Sequence, residues 1–227
     1  LGLLAGCNSS GGDDKKSSGG GSKDSIVIAT MSETPSLSPF DHNATAGVYM
    51  NLLTYSTLFR TDVEMNPQPN LVESYENTSE TEWVFKLKQG VKFHNGDEMK
   101  AEDVVASIEY GKTCAEVNLY NQCVETIEAV DDYTIKVTLK EPFAGFLASI
   151  SSPGVSIYDS EATEAAGDQF GMDPAVTVGT GPFEFSSWSF NNQLVLTRNE
   201  DYWKGASKLP GVVIKIIPDT ETQSMMF

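Results

Sequence analysis

Apolar and polar residues follow two different periods along this chain. Residues 26–28 form a short apolar run that predicts a strand. Trp83, Phe85 and Leu87 alternate with more polar residues, which is the period of a half-buried strand. Further strands are predicted at residues 133–139, 194–196 and 212–217.

The second period, with apolar residues three or four positions apart, predicts helices. Val48, Leu52, Tyr55 and Phe59 have this spacing and should form one buried face. Residues 101–108 repeat the pattern after an Asn-Gly turn. Their first helical turn is acidic, which suits the positive end of a helix dipole.

A third helix is predicted near the end of the chain, where Thr220 and Gln223 have the spacing of a capping box. Strands and helices therefore alternate along the sequence, and no segment repeats. This order indicates an α/β or α+β body.

The composition restricts the range of possible functions more than it restricts the range of possible folds. The 227 residues are 40% hydrophobic, enough to bury the core of one or two globular units. The formal charge is −17, from 15 basic and 32 acidic residues, and the sequence has no basic patch. The electric field of this negative charge repels the phosphate backbone of nucleic acids, so nucleic acid is excluded as a partner. After the first seven residues no apolar run reaches the roughly 18 residues that a membrane helix needs.

The N-terminal residues have the pattern of a bacterial lipoprotein. Leu4 to Cys7 resemble a lipobox, in which the Cys7 thiol receives a diacylglycerol. We interpret residues 1–6 as the remnant of a signal peptide and residues 7–23, rich in Ser and Gly, as a disordered tether. The lipid would anchor the protein at the cell surface, on the outer face of the cytoplasmic membrane. A Leu-rich helix end with a chance cysteine is the alternative.

Several segments, taken in order, match one protein family. The longest is Trp83 to Asp97, followed by Ala101 to Ser107. With these, the chain resembles the family 5 extracellular solute-binding proteins, which include the oligopeptide-, dipeptide- and nickel-binding proteins of ABC importers. The shorter matches are Ser36–Pro39, Asn70–Tyr75, Asp131–Ile135, Gly179–Phe183 and Arg198–Trp203.

This resemblance implies an α/β fold of the periplasmic-binding-protein type II, with two lobes and three domains. Domain I would combine residues 24–45 and 176–227, and domain II would span residues 46–175. The third domain would lie beyond Phe227.

The resemblance also implies a function. A family member of this kind is not an enzyme; it is a monomer that captures short peptides outside the membrane and delivers them to an ABC permease. Nickel or another solute is an alternative ligand. A peptide-sensing or adhesive surface lipoprotein is an alternative role.

Two segments are expected to form the binding region. The resemblance places Ser32, Glu33 and Thr34 against the ligand, with Glu33 contacting a ligand amine or main-chain N–H group. An exposed loop carboxylate is an equally weighted alternative. We interpret Gly179, Thr180, Gly181 and Pro182 as a crossing between domains near the cleft, where glycine permits backbone conformations closed to other residues.

The remaining chemistry-bearing residues have structural interpretations. His42 and His94 lack further ligands at metal spacing, so we expect loop histidines, with no metal and no cofactor. Cys114 and Cys123 lie outside the membrane if the lipobox is correct, which favours a disulfide slightly over free thiols. Four aromatic residues are expected in the core: Tyr49, Tyr55, Trp83 and Trp203.

Overall fold

The computed structural model describes residues 25–42 and 44–226. The predictions for residues 1–24, including the lipid on Cys7 and the tether, lie outside the described residues. The strands are β1 (Ile26–Thr30), β2 (Ser56–Thr57), β3 (Phe59–Thr61), β4 (Pro67–Pro69), β5 (Val72–Asn77), β6 (Glu82–Leu87), β7 (Val124–Asp131), β8 (Thr134–Leu139), β9 (Ser156–Ile157), β10 (Phe183–Ser189), β11 (Gln193–Arg198) and β12 (Gly211–Ile216). The helices are α1 (Thr45–Thr54), α2 (Ala101–Thr113), α3 (Asn118–Asn121), α4 (Phe146–Ser149), α5 (Ser160–Ala166) and α6 (Thr220–Met226).

The strands form two four-stranded sheets and two small pairs. The first sheet has the order β1-β12-β11-β10, in which β1 and β12 are parallel and the other neighbours antiparallel. The second sheet has the order β5-β6-β8-β7 and is antiparallel throughout. β2 pairs with β9, and β3 pairs with β4. The strands expected from the apolar pattern are therefore confirmed, and the fold is mixed α/β.

One face of the first sheet packs against α1. Leu194, Leu196 and Ile214 point to this face and share a buried cluster with Met50 and Tyr55. Helix α1 begins at the predicted boundary between domains I and II, at residue 45. It therefore falls almost entirely in predicted domain II, although it packs on the sheet formed by predicted domain I.

The buried face of α1 differs from the predicted one. Its buried residues are Gly47, Met50, Asn51 and Thr54, whereas Leu52 is 58% exposed. The helix ends at Thr54, so Tyr55 and Phe59, although buried, are not on it. The predicted single face was wrong because the chain leaves the helix and enters β2 and β3 within a few residues.

The second sheet holds the larger core. Phe85 and Leu87 of β6 and Ile135 of β8 are buried, while Lys86 between them is exposed, as the alternating pattern predicts. Val104, one of the buried residues of α2, belongs to the same cluster. This unit is a sheet with one face covered by helices.

The start of α2 is fixed by Asp103, which is buried. Its Oδ2 accepts a hydrogen bond from the Lys100 backbone N–H at 2.9 Å. Its Oδ1 accepts from the N–H and hydroxyl of Ser160 at 3.0 and 2.7 Å, which connects α2 to α5. The acidic first turn predicted from sequence thus has a structural role beyond the helix dipole.

The last helix begins where expected but is capped by a different residue. Asp219 Oδ1 accepts from the Thr222 N–H at 2.7 Å, so Asp219, and not Thr220, is the cap. None of the described helices is long and apolar enough to cross a membrane.

Candidate functional site

The chain crosses from one sheet to the other twice, once between β1 and β5 and once between β8 and β10. Gly179 to Pro182 belong to the second crossing and lie beside residues 54–56 of the first. The Gly181 N–H donates to the Thr54 carbonyl at 3.0 Å. The Ser56 hydroxyl donates to the Thr180 carbonyl at 3.3 Å. The two crossings are therefore hydrogen-bonded side by side. We call the place where residues 54–56 meet residues 179–182 the junction.

His94, in the turn after β6, holds the junction from the side of the second sheet. Its backbone N–H donates to the Gly179 carbonyl at 2.9 Å, and its Nδ1 accepts from the Gly179 N–H at 3.1 Å. Its Nε2 lies 3.1 Å from the Gly181 carbonyl, to which it donates in the neutral form. Burial lowers the pKa of His94 to about 4, although the Gly181 carbonyl acts in the opposite direction. The imidazole is thus neutral at physiological pH, as its bond from Gly179 requires.

The two glycines of the junction are required by close packing. A Cβ at Gly181 would lie 2.6 Å from the Leu53 carbonyl oxygen, and one at Gly179 would lie 2.7 Å from the Tyr55 ring and closer still to the Thr54 carbonyl oxygen. Neither glycine has a positive φ. The expectation that they permit unusual backbone conformations is therefore corrected: they permit contact between two backbones.

The first sheet contributes Asn199 to the junction. Its Nδ2 donates to the Gly181 carbonyl at 3.0 Å, and its N–H donates to the Pro182 carbonyl at 3.0 Å. Thr180 is fully buried, and its hydroxyl has no partner among the described residues. Sequence reasoning missed His94 and Asn199, although both stand inside segments that carried the family resemblance.

Ser32, Glu33 and Thr34 lie together in the loop that follows β1. They line a recess of about 10 Å³ with the side chains of Met50 and Ile214, among others. Ser32 is exposed, and the buried Thr34 hydroxyl donates to the Ser36 carbonyl at 2.6 Å. No hydrogen bond among the described residues joins this loop to the junction.

Glu33 is half-buried and already has two donors within the protein. The Trp188 indole N–H donates to its carboxylate at 2.9 Å, and the Asn191 backbone N–H donates to its other oxygen. The carboxylate therefore ties the loop to the turn between β10 and β11. A ligand amine would have to share it or displace one of these donors.

The other candidate residues occupy separate places. His42 is buried, and burial lowers its pKa against the opposing effect of Asp41 and Glu116. Cys114 and Cys123 are free thiols packed against different hydrophobic clusters, which departs from the bridge that we favoured. The described residues contain no group of three or more Cys, His, Asp or Glu side chains arranged to hold a metal.

The aromatic residues are only partly in the core. Tyr55 is buried, and Trp83 and Trp203 are half-buried against the large cluster of the second sheet. Tyr49 is 55% exposed on α1, so its predicted core position was wrong.

Comparison with models of protein families identifies the class of protein to which this fold belongs. Residues 66–227 match the model of the bacterial extracellular solute-binding proteins, family 5 Middle. The chain belongs to this family, and its fold is that of type II periplasmic binding proteins.

Individual relatives add detail. The glutathione-binding protein GsiB of Escherichia coli is 31% identical over 207 residues, which are 88% of this chain and 40% of GsiB. The structure of Helicobacter pylori DppA, an ABC transporter-associated periplasmic binding protein in complex with the peptide STSA, has a TM-score of 0.78 at 28% identity and covers 88% of this chain and 44% of DppA. Campylobacter jejuni NikZ in complex with Ni(L-His) has a TM-score of 0.79 at 25% identity and covers 90% of this chain and 41% of NikZ. The chain thus spans about 40% of the length of the curated relatives that it matches.

Proposed function

We propose that this protein is the substrate-binding component of an ABC importer that captures short peptides outside the membrane and delivers them to the permease. It binds and releases its ligand without chemical change and works as a monomer. Its anchor is a lipid on Cys7. Nickel chelates, or a sensing or adhesive role at the surface, are the alternatives that the tests below separate.

The observation that carries the proposal is the junction in a chain of this family. Two backbone segments cross between the sheets with Thr54 and Gly181 in direct contact, and His94 and Asn199 hold the second crossing from opposite sides. A binding protein that closes around a ligand concentrates the movement in a few residues where the chain passes between structural units. We assign the hinge to residues 179–182 on this basis.

Peptide is favoured over other solutes by two relatives. GsiB is named for binding glutathione, and the DppA structure contains the peptide STSA. An extended peptide makes hydrogen bonds mainly through its backbone, and a loop beside the edge strand of a sheet suits this mode of binding. The loop of Ser32, Glu33 and Thr34 follows β1, the edge strand of the first sheet.

The test is to titrate the purified full-length protein with each ligand and to measure the heat of binding by isothermal titration calorimetry. We expect saturable binding of glutathione or of short peptides, and a ligand at about 100 times its dissociation constant should stabilise the fold by about 2.7 kcal/mol. Binding of a nickel–histidine complex alone would contradict the peptide proposal. Cleavage of a peptide during the titration would contradict the absence of enzymatic activity.

Two variants separate a ligand role of Glu33 from its role in the loop. Glu33→Gln removes the charge, and Trp188→Phe removes one internal donor but keeps the carboxylate. If Glu33 binds a ligand amine, Glu33→Gln should weaken peptide binding at least tenfold while Trp188→Phe leaves it nearly unchanged. Equal weakening by both variants would show that Glu33 only positions the loop.

A further inference from the structure

Cationic side chains gather around Trp203, after β11. The Lys204 Nζ lies 4.4 Å from the centre of the indole ring, and the Lys88 Nζ lies 5.9 Å from it. Burial, then Arg60 and Lys88, lower the pKa of Lys204 to about 8. In a chain with 15 basic and 32 acidic residues, two further cations lie close enough to Lys204 to repel it.

Protein carboxylates balance only part of this charge. The Lys88 Nζ lies 3.7 Å from the Glu73 carboxylate, whose side chain is 70% exposed. Lys204 donates to the amide oxygen of Asn70, which is neutral. Among the described residues no carboxylate lies within ion-pair distance of Lys204 or Arg60. The cluster is therefore left with an excess of positive charge.

Open space adjoins these cations on two sides. Lys88, Trp203 and Lys204 line a cavity of about 850 Å³, which Glu73 and Asp131 also border. A second cavity of about 230 Å³ is lined by Arg60 and, again, Lys204. The Lys204 side chain thus stands between two spaces, each large enough for a small molecule.

We propose that Lys88 and Lys204 form an anion-binding site in the larger cavity, beside Trp203, which takes a compact carboxylate or phosphate group, while Arg60 adds positive charge from the smaller cavity on the other side of Lys204. Each ammonium supplies a mobile point charge with three donors, which suits both kinds of oxyanion. An anion there would remove the mutual repulsion of the cations. The site is separate from the loop of Ser32, Glu33 and Thr34 and does not depend on the proposed peptide ligand.

The position of the site gives its occupant a structural consequence. Lys88 follows β6 of the second sheet directly, and Lys204 follows β11 of the first sheet. An anion held by both lysines connects the two sheets at a place other than the junction. Binding should therefore stabilise their relative position.

Calorimetric titrations of the full-length protein with inorganic phosphate and, separately, with acetate test the site at low ionic strength, where screening is weakest. We expect saturable binding of at least one probe, and the stronger of the two identifies the chemistry of the natural group. Lys204→Gln and Lys88→Gln should each weaken it at least tenfold, and Arg60→Gln should weaken it less, because Arg60 lines only the smaller cavity. Lys208→Gln, an exposed lysine in the same loop with the same change of charge, should leave it unchanged.

Two results would overturn the proposal. One is the absence of saturable heat with both probes. The other is equal weakening by Lys204→Gln and Lys208→Gln, which would indicate a response to net charge alone. Circular dichroism confirms that each variant is folded, and a peptide titration of the same samples shows whether the peptide function succeeds or fails independently.

Discussion

The two sheets bury their apolar residues to different extents. In the second sheet, Phe85 and Ile135 are completely buried beneath helices. In the first sheet, the three apolar residues of β1 remain open, with Ile26 45%, Val27 41% and Ile28 38% exposed. Because successive residues of a strand point to opposite faces, β1 is exposed on both of its faces within the described structure.

This difference indicates where the stability of the described chain is concentrated. Apolar area removed from water is the main favourable contribution to folding, and the second sheet buries far more of it. The first sheet depends more on its attachment to the rest, through α1 and the junction. Regions with fewer buried contacts open more easily than a well-packed core.

The largest expected effect comes from the core of the second sheet. Phe85→Ala should lower the free energy of unfolding by about 3 to 5 kcal/mol, because a large buried side chain is lost and a cavity remains. Val27→Ala in β1 should cost only about 1 kcal/mol, since it removes two partly exposed methyl groups. Urea denaturation of both variants measures the difference. Equal losses would show that β1 contributes as much to stability as the core of the second sheet.

The same comparison explains what sequence could predict. Strands β6 and β8 and helix α2 were predicted well, because their apolar residues repeat with one period and all face one core. The buried face of α1 was not, because it consists largely of Gly47, Asn51 and Thr54, which an apolar pattern does not count. Small and polar residues can be buried wherever a neighbouring backbone comes close.

The residues of the candidate site also fall into those that the sequence could predict and those that it could not. Gly179 and Gly181 were found because their segment resembles a known family. His94 was interpreted as an ordinary loop residue, since nothing near it in sequence indicates that its ring meets a backbone 85 positions away. Contacts of this kind depend on the tertiary fold and are not encoded in a local pattern.

The second prediction concerns the attachment at His94. Its pKa of about 4 in the folded protein is below the ordinary value of 6.5, so the folded state favours the neutral ring. The contribution is complete above about pH 6.5 and is lost as the pH falls through 4. At about 1.4 kcal/mol for each pKa unit, the loss is about 3 kcal/mol. Unfolding measured in urea between pH 7 and pH 4 should show it.

Two variants assign this pH dependence. His94→Gln has no titrating ring and should lack most of the slope between pH 6.5 and pH 4. His42→Gln removes a second buried histidine with a lowered pKa but should keep the part due to His94. If the slope is unchanged in His94→Gln, protonation of His94 does not weaken the junction.

The smallest of the three effects is expected at Gly181, but it tests the junction most directly. A Cβ there would lie 2.6 Å from the Leu53 carbonyl oxygen, so Gly181→Ala should push the two crossings apart and cost about 1 to 3 kcal/mol. Gly205→Ala is the control: an added Cβ meets nothing within 4 Å, and only the positive φ of 91° opposes it. Both variants can lower stability, so stability alone does not separate them.

The titration of His94 separates the two variants, because its ring bonds to the backbone that Gly181→Ala displaces. In that variant the Gly179 N–H and the Gly181 carbonyl move away from the ring and water enters, so the pKa of His94 should rise from about 4 towards 6.5. Gly205→Ala should leave it unchanged. Nuclear magnetic resonance of the imidazole protons measures the pKa directly. An unshifted pKa in Gly181→Ala would mean that the crossings accommodate the methyl group without separating, and that their close contact does not hold the two sheets in place.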